Sequence, residues 1–590
     1  MIEVVAWETL NVAMRPSSVP NDSHESCPGP LHVARASTPS AGGRTRICDN
    51  SDMARVRRPN PAPTFLVLFA LAALVSACGT VPPSAPHASG VPTSFAVGSP
   101  TVAPTQTSPS PTLQPTPEPT AASAVPIVPV AGFQTDATSI DQQNVTAILS
   151  GTNAKFDVLE LVDGDADGIL KALGLDRPSV AGRLVLAPTA DALEADLDAG
   201  PSHLGLVRAS DVGPSVRALG WEGKSLFGVA RVASLTDWPL EANLDASASS
   251  AAFDPAQTWT IAAAGDVMLD RGVYKVVKLD GKGVDFPFAG GTATITGRYC
   301  CSSMGWVLPR TKRLDTSSDV RSITSGADLA MVNLEGPAPV NATYHSTGMT
   351  FNFDQSFLAG LKYAGIDVVS LANNHIGNAG QKGILDTISA LDKLGIAHAG
   401  AGANTAAART PAMFTVDGVK VAVLGYDSIA PGYGAGAAKA GCAELSWGTA
   451  PDDIRAARAA GAQVVIVYPH WGVEYTTGPT TAQRTWAHQM IDAGADLVIG
   501  NHPHWAGAME VYKGKPIWYA LGNFVFDQTW SEQTEEGLLL ELTFSGSTLV
   551  QAWLHPIIDL DGAQPNLLDA AGGKAVLDQV YGASTKVLPW

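Results

Sequence analysis

Five short apolar runs, each closing on residues that can ligate a metal or move a proton, constrain this 590-residue chain more than any other feature. Ile261-Ala-Ala-Ala-Gly-Asp266 and Leu329-Ala-Met-Val-Asn-Leu-Glu335 end in carboxylates, and Asp367-Val-Val-Ser-Leu-Ala-Asn-Asn-His375 ends in two amides and an imidazole. Val464-Val-Ile-Val-Tyr-Pro-His470 ends in one imidazole and Leu497-Val-Ile-Gly-Asn-His-Pro-His504 in two. Runs this short and apolar read as buried strands, and strand tips are where α/β folds place their chemistry. One such ending is within reach of chance. Five in succession predict tips converging on one polar pocket.

Helix-compatible stretches separate these runs. Residues 381–394 put Ile384, Ile388, Leu391 and Leu394 near one face, 451–460 carry a proline near their first turn, and 481–493 form a third stretch. The alternation predicts a layered α/β domain over 256–560, with an insertion at 281–320 and a C-terminal tail over 561–590. The chain is longer than one core usually serves. Apolar segments at 156–162, 182–187 and 203–207 predict a small α/β domain over 131–250. Residues 204–219 look like a segment of extracellular solute-binding proteins, with structural support of the next domain as the other role. Asp163-Gly-Asp-Ala-Asp-Gly168 has acids at the first, third and fifth places of a calcium loop. The twelfth place, where a bidentate Glu belongs, is Gly174, so an acidic turn is the default.

The amino-terminal part carries an address. Arg55, Arg57 and Arg58 precede an apolar run from Phe65 to Val75, which Ser76-Ala-Cys78 closes, in the layout of a secretory signal. The run is too short to favour a permanent span. Val75-Ser-Ala-Cys78 resembles a bacterial lipoprotein signal, which implies a lipid on Cys78 and a place on the outer face of the cytoplasmic membrane. Ordinary cleavage near Ala77 and secretion is the alternative. Met53 stands just before the basic residues, so 1–52 are expected to be an upstream extension and 53–78 the signal. Residues 79–130, rich in Pro, Thr, Ser and Ala, predict an extended tether.

The formal charge of -18, without a basic stripe, argues against nucleic acid as a partner. Six cysteines, at 27, 48, 78, 300, 301 and 442, show no metal-finger spacing. Cys300 and Cys301 can bond to each other, either can pair with Cys442, or all can stay free.

The ligand mixture makes the case for a metal centre. Asp266 and Glu335 can neutralise a divalent cation, neutral His470, His502 and His504 donate nitrogen, and Asn374 donates a carbonyl oxygen. A carboxylate between two ions holds them about 3.5–4 Å apart, and Glu335 is the best candidate for that bridge. Taken singly, each residue also fits a cap, a turn or a carbonyl contact.

The chain resembles the CapA family of bacterial capsule and poly-γ-glutamate synthesis, related in fold to calcineurin-like metallophosphoesterases. Gly265-Asp-Val-Met-Leu-Asp-Arg271, Asn333-Leu-Glu-Gly336, Ala372-Asn-Asn-His375 and His470-Trp-Gly-Val-Glu-Tyr475 carry the resemblance, with Gly500-Asn-His-Pro-His504 and Tyr519-Ala-Leu-Gly-Asn-Phe-Val-Phe-Asp527. It implies a β-sandwich flanked by helices and two divalent ions, of Mn, Zn or Fe. Asp266 and His504 would serve the first, Asn374, His470 and His502 the second, and Glu335 both, with His375 contacting substrate as an acid. Met268 stands where those enzymes place a histidine, and a thioether is a poor ligand for a hard cation. The first site is then weak, differently occupied or empty, unless Asp270 or His345 replaces that ligand. Nearby, Glu474 can act as a base or bind an ammonium group, and Arg271 can bind a carboxylate or phosphate. Trp471 and Trp505 can wall the substrate, and Asn523 can orient a ligand histidine.

The implied function is an envelope-anchored, metal-dependent hydrolase or transferase acting on an anionic capsular polymer such as polyglutamate, with capsule-synthesis membrane proteins as partners. The alternatives are a non-catalytic polymer-binding or assembly factor and an extracellular phosphoesterase.

Overall fold

Every residue of the strand Thr258–Val267 is buried, and its side chains alternate between two apolar layers. Trp259, Ile261 and Ala263 enter one layer, while Ala262 and Ala264 enter the other. A strand covered on both faces belongs in the middle of a sheet. In the computed structural model, which describes residues 122–245 and 252–585, it pairs in parallel with Leu329–Leu334 and antiparallel with Glu536–Ser545. Val368–Ser370 and Ala397–Ala399 extend this ten-stranded sheet on one side. Thr548–Leu560, Gln564–Leu568, Thr292–Tyr299 and Leu308–Arg313 extend it on the other.

The inner layer meets Val421, Val423, Ile466 and Ile499 of a second, six-stranded sheet. Its central strands Val419–Asp427, Val464–His470, Leu497–Ile499 and Lys515–Trp518 are parallel. Helices Asp319–Gly326, Leu358–Tyr363 and Gly380–Leu394 cover the first sheet outside. Thr449–Ala459 and Thr481–Ala493 cover the second. The result is the expected α/β sandwich flanked by helices.

Local chemistry sets the helix ends. Thr480 and Gln483 form a reciprocal capping box before Thr481–Ala493, and Gly494 ends it at φ 112°. In Gly380–Leu394 the expected apolar face is the one that packs, with Ile384 and Leu391 buried and Ile388 and Leu394 against the same core. The insertion forms the antiparallel hairpin of Thr292–Tyr299 with Leu308–Arg313.

The small domain is a six-stranded mixed sheet with helices Gln142–Ser150, Ala166–Ala172 and Ala190–Ala199. It starts before the expected boundary at 131: its central strand is Ala122–Gly132, inside the stretch read as tether. The prolines misled, since Pro cannot donate to a ladder. Here Pro129 uses only its carbonyl, accepting from Leu219 N at 2.8 Å, while Ile127, Val128 and Val130 are buried. The expected tail is also corrected: Gln564–Leu568 joins the large sheet, and Ala570–Ser584 is a helix whose Val576 and Val580 enter the inter-sheet core. Both domains lie in one unit, Pro111–Trp590. Gln551 links them, donating to Gly213 O at 2.9 Å and Val216 O at 3.0 Å and accepting from Ala218 N at 2.8 Å.

Two acids of the turn at 163–168 are paired with arginines outside it, Asp165 with Arg208 at 2.6 and 2.7 Å and Asp167 with Arg177 at 2.9 Å. The upstream extension, the signal with Cys78 and all of the tether except residues 122–130 lie outside the described residues. Among the described residues, no helix is long and apolar enough to cross a membrane.

Candidate metal centre

An irregularity at the tip of Thr258–Val267 aims Asp266. Ala263 stands opposite Met331 and Asp266 opposite Asn333, so three steps on one strand match two on its neighbour. The extra residue reverses the alternation. Asp266 therefore faces the second sheet, as Ala263 does, instead of the helices. Gly265 permits this: a Cβ there would stand 1.9 Å from the carbonyl oxygen of Gly522, which accepts the Asp266 amide at 3.1 Å. Asn333 and Glu335 follow Met331 by twos and share its face, and Glu335 N donates to Val267 O at 2.8 Å.

The second sheet supplies the imidazoles. His470 ends Val464–His470, and His502 and His504 follow Leu497–Ile499 in a turn where they take φ of 97° and 58°. Positive φ is costly for side chains of this size and gathers at functional sites. Arg271 and Tyr475, at 51° and 60°, share it.

The six expected ligands fall into two groups. Asp266, Glu335 and His504 present ligand atoms all within 4.8 Å of one another, and all three are buried. Asn374 Oδ1 and His502 Nδ1 both lie against His470 Nε2, at 2.8 and 3.1 Å. Asn333 connects the groups, donating to Asp266 Oδ1 at 2.8 Å and lying 3.2 Å from His470 Nδ1, while its carbonyl accepts from Asn373 at 3.2 Å. Asn523 accepts from His504 Nδ1 at 2.9 Å, and its own amide is fixed by donation to Thr534 O at 2.8 Å. This is the orienting role expected of it, and it leaves Nε2 as the ring nitrogen open to an ion once that nitrogen has lost its proton.

Electrostatics separates the groups further. Burial lowers the pKa of His502 to about 3 and holds His470 well below its ordinary value, so both rings are neutral. Burial also works against charge on His504, yet Glu335 and Asp266 outweigh it and raise its pKa to about 9. Glu335 is fully buried, and neither carboxylate oxygen has a hydrogen-bond partner. Burial, then Asp266, pushes its pKa well above 4.5. A buried carboxylate without donors is costly. Two buried acids beside neutral imidazoles are a donor set that divalent cations fit, so the residues present suit such an ion.

Several expectations are corrected. Arg271 does not offer a free fork: it pairs with Asp527, donates to Gly348 O at 2.9 Å, and its guanidinium lies 4.8 Å from the Phe351 ring. Asp270 and His345 do not replace the missing ligand, because they bond each other at 2.6 Å and Asp270 also accepts from Arg271 N and Asn352 N. Met268 is buried with Phe351 and Phe526, its sulfur accepting from Asp270 N at 3.0 Å. Trp471 is a core residue, fully buried with its indole on Tyr519 O at 3.0 Å. Cys300 and Cys301 are bonded to each other, and Cys442 is a buried free thiol.

His375 stands 3.6 Å from Glu335 through Nε2, and its ring lies 4.1 Å from that of Phe351, tilted by 32°. Its Nδ1 lies 3.0 Å from Asn378 Oδ1, which also accepts from Phe351 N at 2.7 Å and is thereby identified as oxygen. The proton is on Nδ1, and burial lowers the ring's pKa to about 4. With Nδ1–H on Asn378, Nε2 is the unprotonated nitrogen and faces Glu335. Glu474 is half-buried and acts electrostatically on Tyr475, Glu335 and His504.

Trp505 joins an aromatic rim in which Tyr475 lies 6.1 Å from His504, 5.4 Å from Trp306 and 6.2 Å from Trp505. Trp306 comes from the insertion hairpin and was not singled out by spacing. Asn333 and Asp527 were missed as well. The first had a signal, two places before Glu335 on the same strand face; the second had none.

This is a two-sheet α/β sandwich whose strand tips bring an acid, amide and imidazole set to one buried centre. The profile of the family described as bacterial capsule synthesis protein PGA_cap matches residues 260–528 of this chain. The chain is 38% identical over 235 residues to the capsule biosynthesis protein CapA of Bacillus anthracis, covering 39% of this chain and 57% of that one. It is 33% identical over 230 residues to the PGA biosynthesis protein CapA of Bacillus subtilis, covering 37% and 59%. The chain thus spans under two thirds of these relatives' length. A solved calcineurin-like phosphoesterase, YfkN from Bacillus subtilis, aligns with 56% of this chain and 97% of its own at 13% identity and a TM-score of 0.28.

Proposed function

We propose that this protein is a divalent-metal-dependent hydrolase or transferase acting on an anionic capsule-type polymer such as poly-γ-glutamate. The observation that supports this most is the orphaned Glu335 carboxylate beside Asp266 and His504, with the neutral His470 and His502 adjacent. Asp266, Glu335 and His504 would hold one ion, and Asn374, His470 and His502 a second. Bound ions of this kind supply Lewis-acid polarisation and a water of lowered pKa. The chain's own groups do the rest. Asn523 and Asn333 hold the ligands in orientation, His375 accepts a hydrogen bond at Nε2, and Glu474 receives a proton or pairs with a substrate ammonium at the rim. Arg271, through its pairing with Asp527, keeps the wall beside Phe351 in place.

A lipid on Cys78 would tether the folded part to the outer face of the cytoplasmic membrane, beside capsule-synthesis membrane proteins. Cys78→Ser would then abolish acyl labelling and release the protein. The functional test is metal analysis of the purified protein together with turnover of γ-linked glutamate polymer by wild type, Glu335→Gln and His502→Ala. Metal-dependent product formation lost in both variants is the expected result. Turnover of small phosphate esters but not of γ-linked peptides would overturn the polymer reading.

A second reading, a polymer-binding assembly factor without turnover, is favoured by one observation. Met268 and its two phenylalanines place an apolar patch where a further ligand would stand. Polymer binding by metal-free protein without turnover would select it.

A further inference from the structure

A cavity of about 550 Å³ lies at the seam between the small domain and the sandwich, and none of its lining residues belongs to the metal centre. Its volume is that of a small-molecule site. Leu554, Pro556, Leu577 and Tyr581 form an apolar wall on the sandwich side. Most lining charge is already neutralised locally. Lys155 pairs with Asp136, Lys574 with Asp578 at 2.7 Å and His555 with Glu541 at 2.6 Å, while Asp569 caps Ala570–Ser584 through Gly572 N at 2.9 Å. Asp198 is unpaired but exposed to solvent.

Arg217 is different. Its guanidinium is half-buried over the Trp553 ring at 5.7 Å and has no hydrogen-bond or ion-pair partner among the described residues. Burial holds its pKa below the ordinary value, and attraction to Tyr581, Glu541 and Asp136 offsets only part of that. A half-buried guanidinium over an aromatic ring without a protein acceptor leaves its planar fork open to a carboxylate.

We propose that this cavity binds a small organic carboxylate, whose charged end pairs with Arg217 and whose apolar body packs against Leu554, Leu577 and Tyr581. The walls come from both domains, so the occupant joins them. The site is independent of the metal centre and of any turnover there.

The test is calorimetric titration of the full chain with phenylacetate, with benzylamine as the probe of opposite charge. Phenylacetate is expected to bind and to slow proteolysis at the seam. Arg217→Gln, at an unchanged melting temperature, is expected to weaken binding about tenfold to a hundredfold, the worth of a charge-assisted hydrogen bond. Leu577→Trp fills the cavity without touching the guanidinium and is expected to abolish binding, which keeps the test decisive if Arg217→Gln does not fold. Absence of phenylacetate binding, equal binding of benzylamine, or full retention in Leu577→Trp would overturn the proposal.

Discussion

Glu335→Gln tests the centre most sharply, because it should move stability in opposite directions with and without metal. The substitution keeps the shape and removes a carboxylate that is fully buried with neither oxygen bonded. In the metal-free protein the pKa of Glu335 is raised above 4.5, so the folded chain keeps a proton that the unfolded chain releases. That contribution is full below pH 4.5 and is lost as pH rises toward the raised value. The loss runs at about 1.4 kcal/mol per pH unit. His504 returns part of it, since Glu335 is the carboxylate that most raises its pKa. The expected net excess of metal-free Gln variant over metal-free wild type at neutral pH is about 1–2 kcal/mol. Over the unit Pro111–Trp590, an unfolding entropy of about 2.1 cal/mol/K per residue makes 1 kcal/mol worth about 1 °C. With Mn²⁺ at about 100 times its Kd for the Asp266, Glu335 and His504 site, wild type should gain about 2.7 kcal/mol from that site, or about 3 °C, and the variant none of that share. Scanning calorimetry of chelator-treated protein, with and without Mn²⁺, reads both. The reasoning fails if the variant gains as much from metal as wild type, or if it melts below metal-free wild type.

Asn523→Ala removes the acceptor that holds His504 Nδ1 at 2.9 Å, and metal affinity should fall about 10–100-fold in a competition titration; unchanged affinity would show that the ring is held by other contacts. Gln551→Ala deletes three bonds between the domains and should destabilise by about 2–3 kcal/mol, read as faster proteolysis within 122–245. The pKa of His375 is lowered from 6.5 to about 4, so its neutral form is favoured on folding and stability is lost as pH falls through that window. His375→Gln should therefore show a shallower fall in melting temperature between pH 6.5 and 4 than metal-free wild type, and an equal fall would contradict the assignment.

The convergence of strand tips was legible because it rests on patterns that survive without coordinates: apolar runs of strand length, each with a polar end. The helices over 380–394, 449–459 and 481–493 were legible as the helix-compatible stretches between those runs, the first through its apolar spacing and the second through a proline in its first turn. What failed was the state of charged groups whose partners lie far along the chain. Arg271 reads as a free fork until Asp527, more than 250 positions away, closes on it. Prolines hid the strand Ala122–Gly132, since no local rule says whether a missing donor matters. Trp471 and Trp505 look alike in sequence, and only packing separates the buried one from the one at the rim.

Asp266, Glu335 and Asn374 come from one sheet, and His470, His502 and His504 from the other. An ion held by both sets is a rivet through the sandwich, fastening two sheets whose contact is otherwise made largely by apolar side chains such as Ile261 and Ile466. Its loss would then be felt as slackening across that whole interface, and hydrogen exchange in Val464–His470 would register the departure as clearly as any change at the ligands themselves.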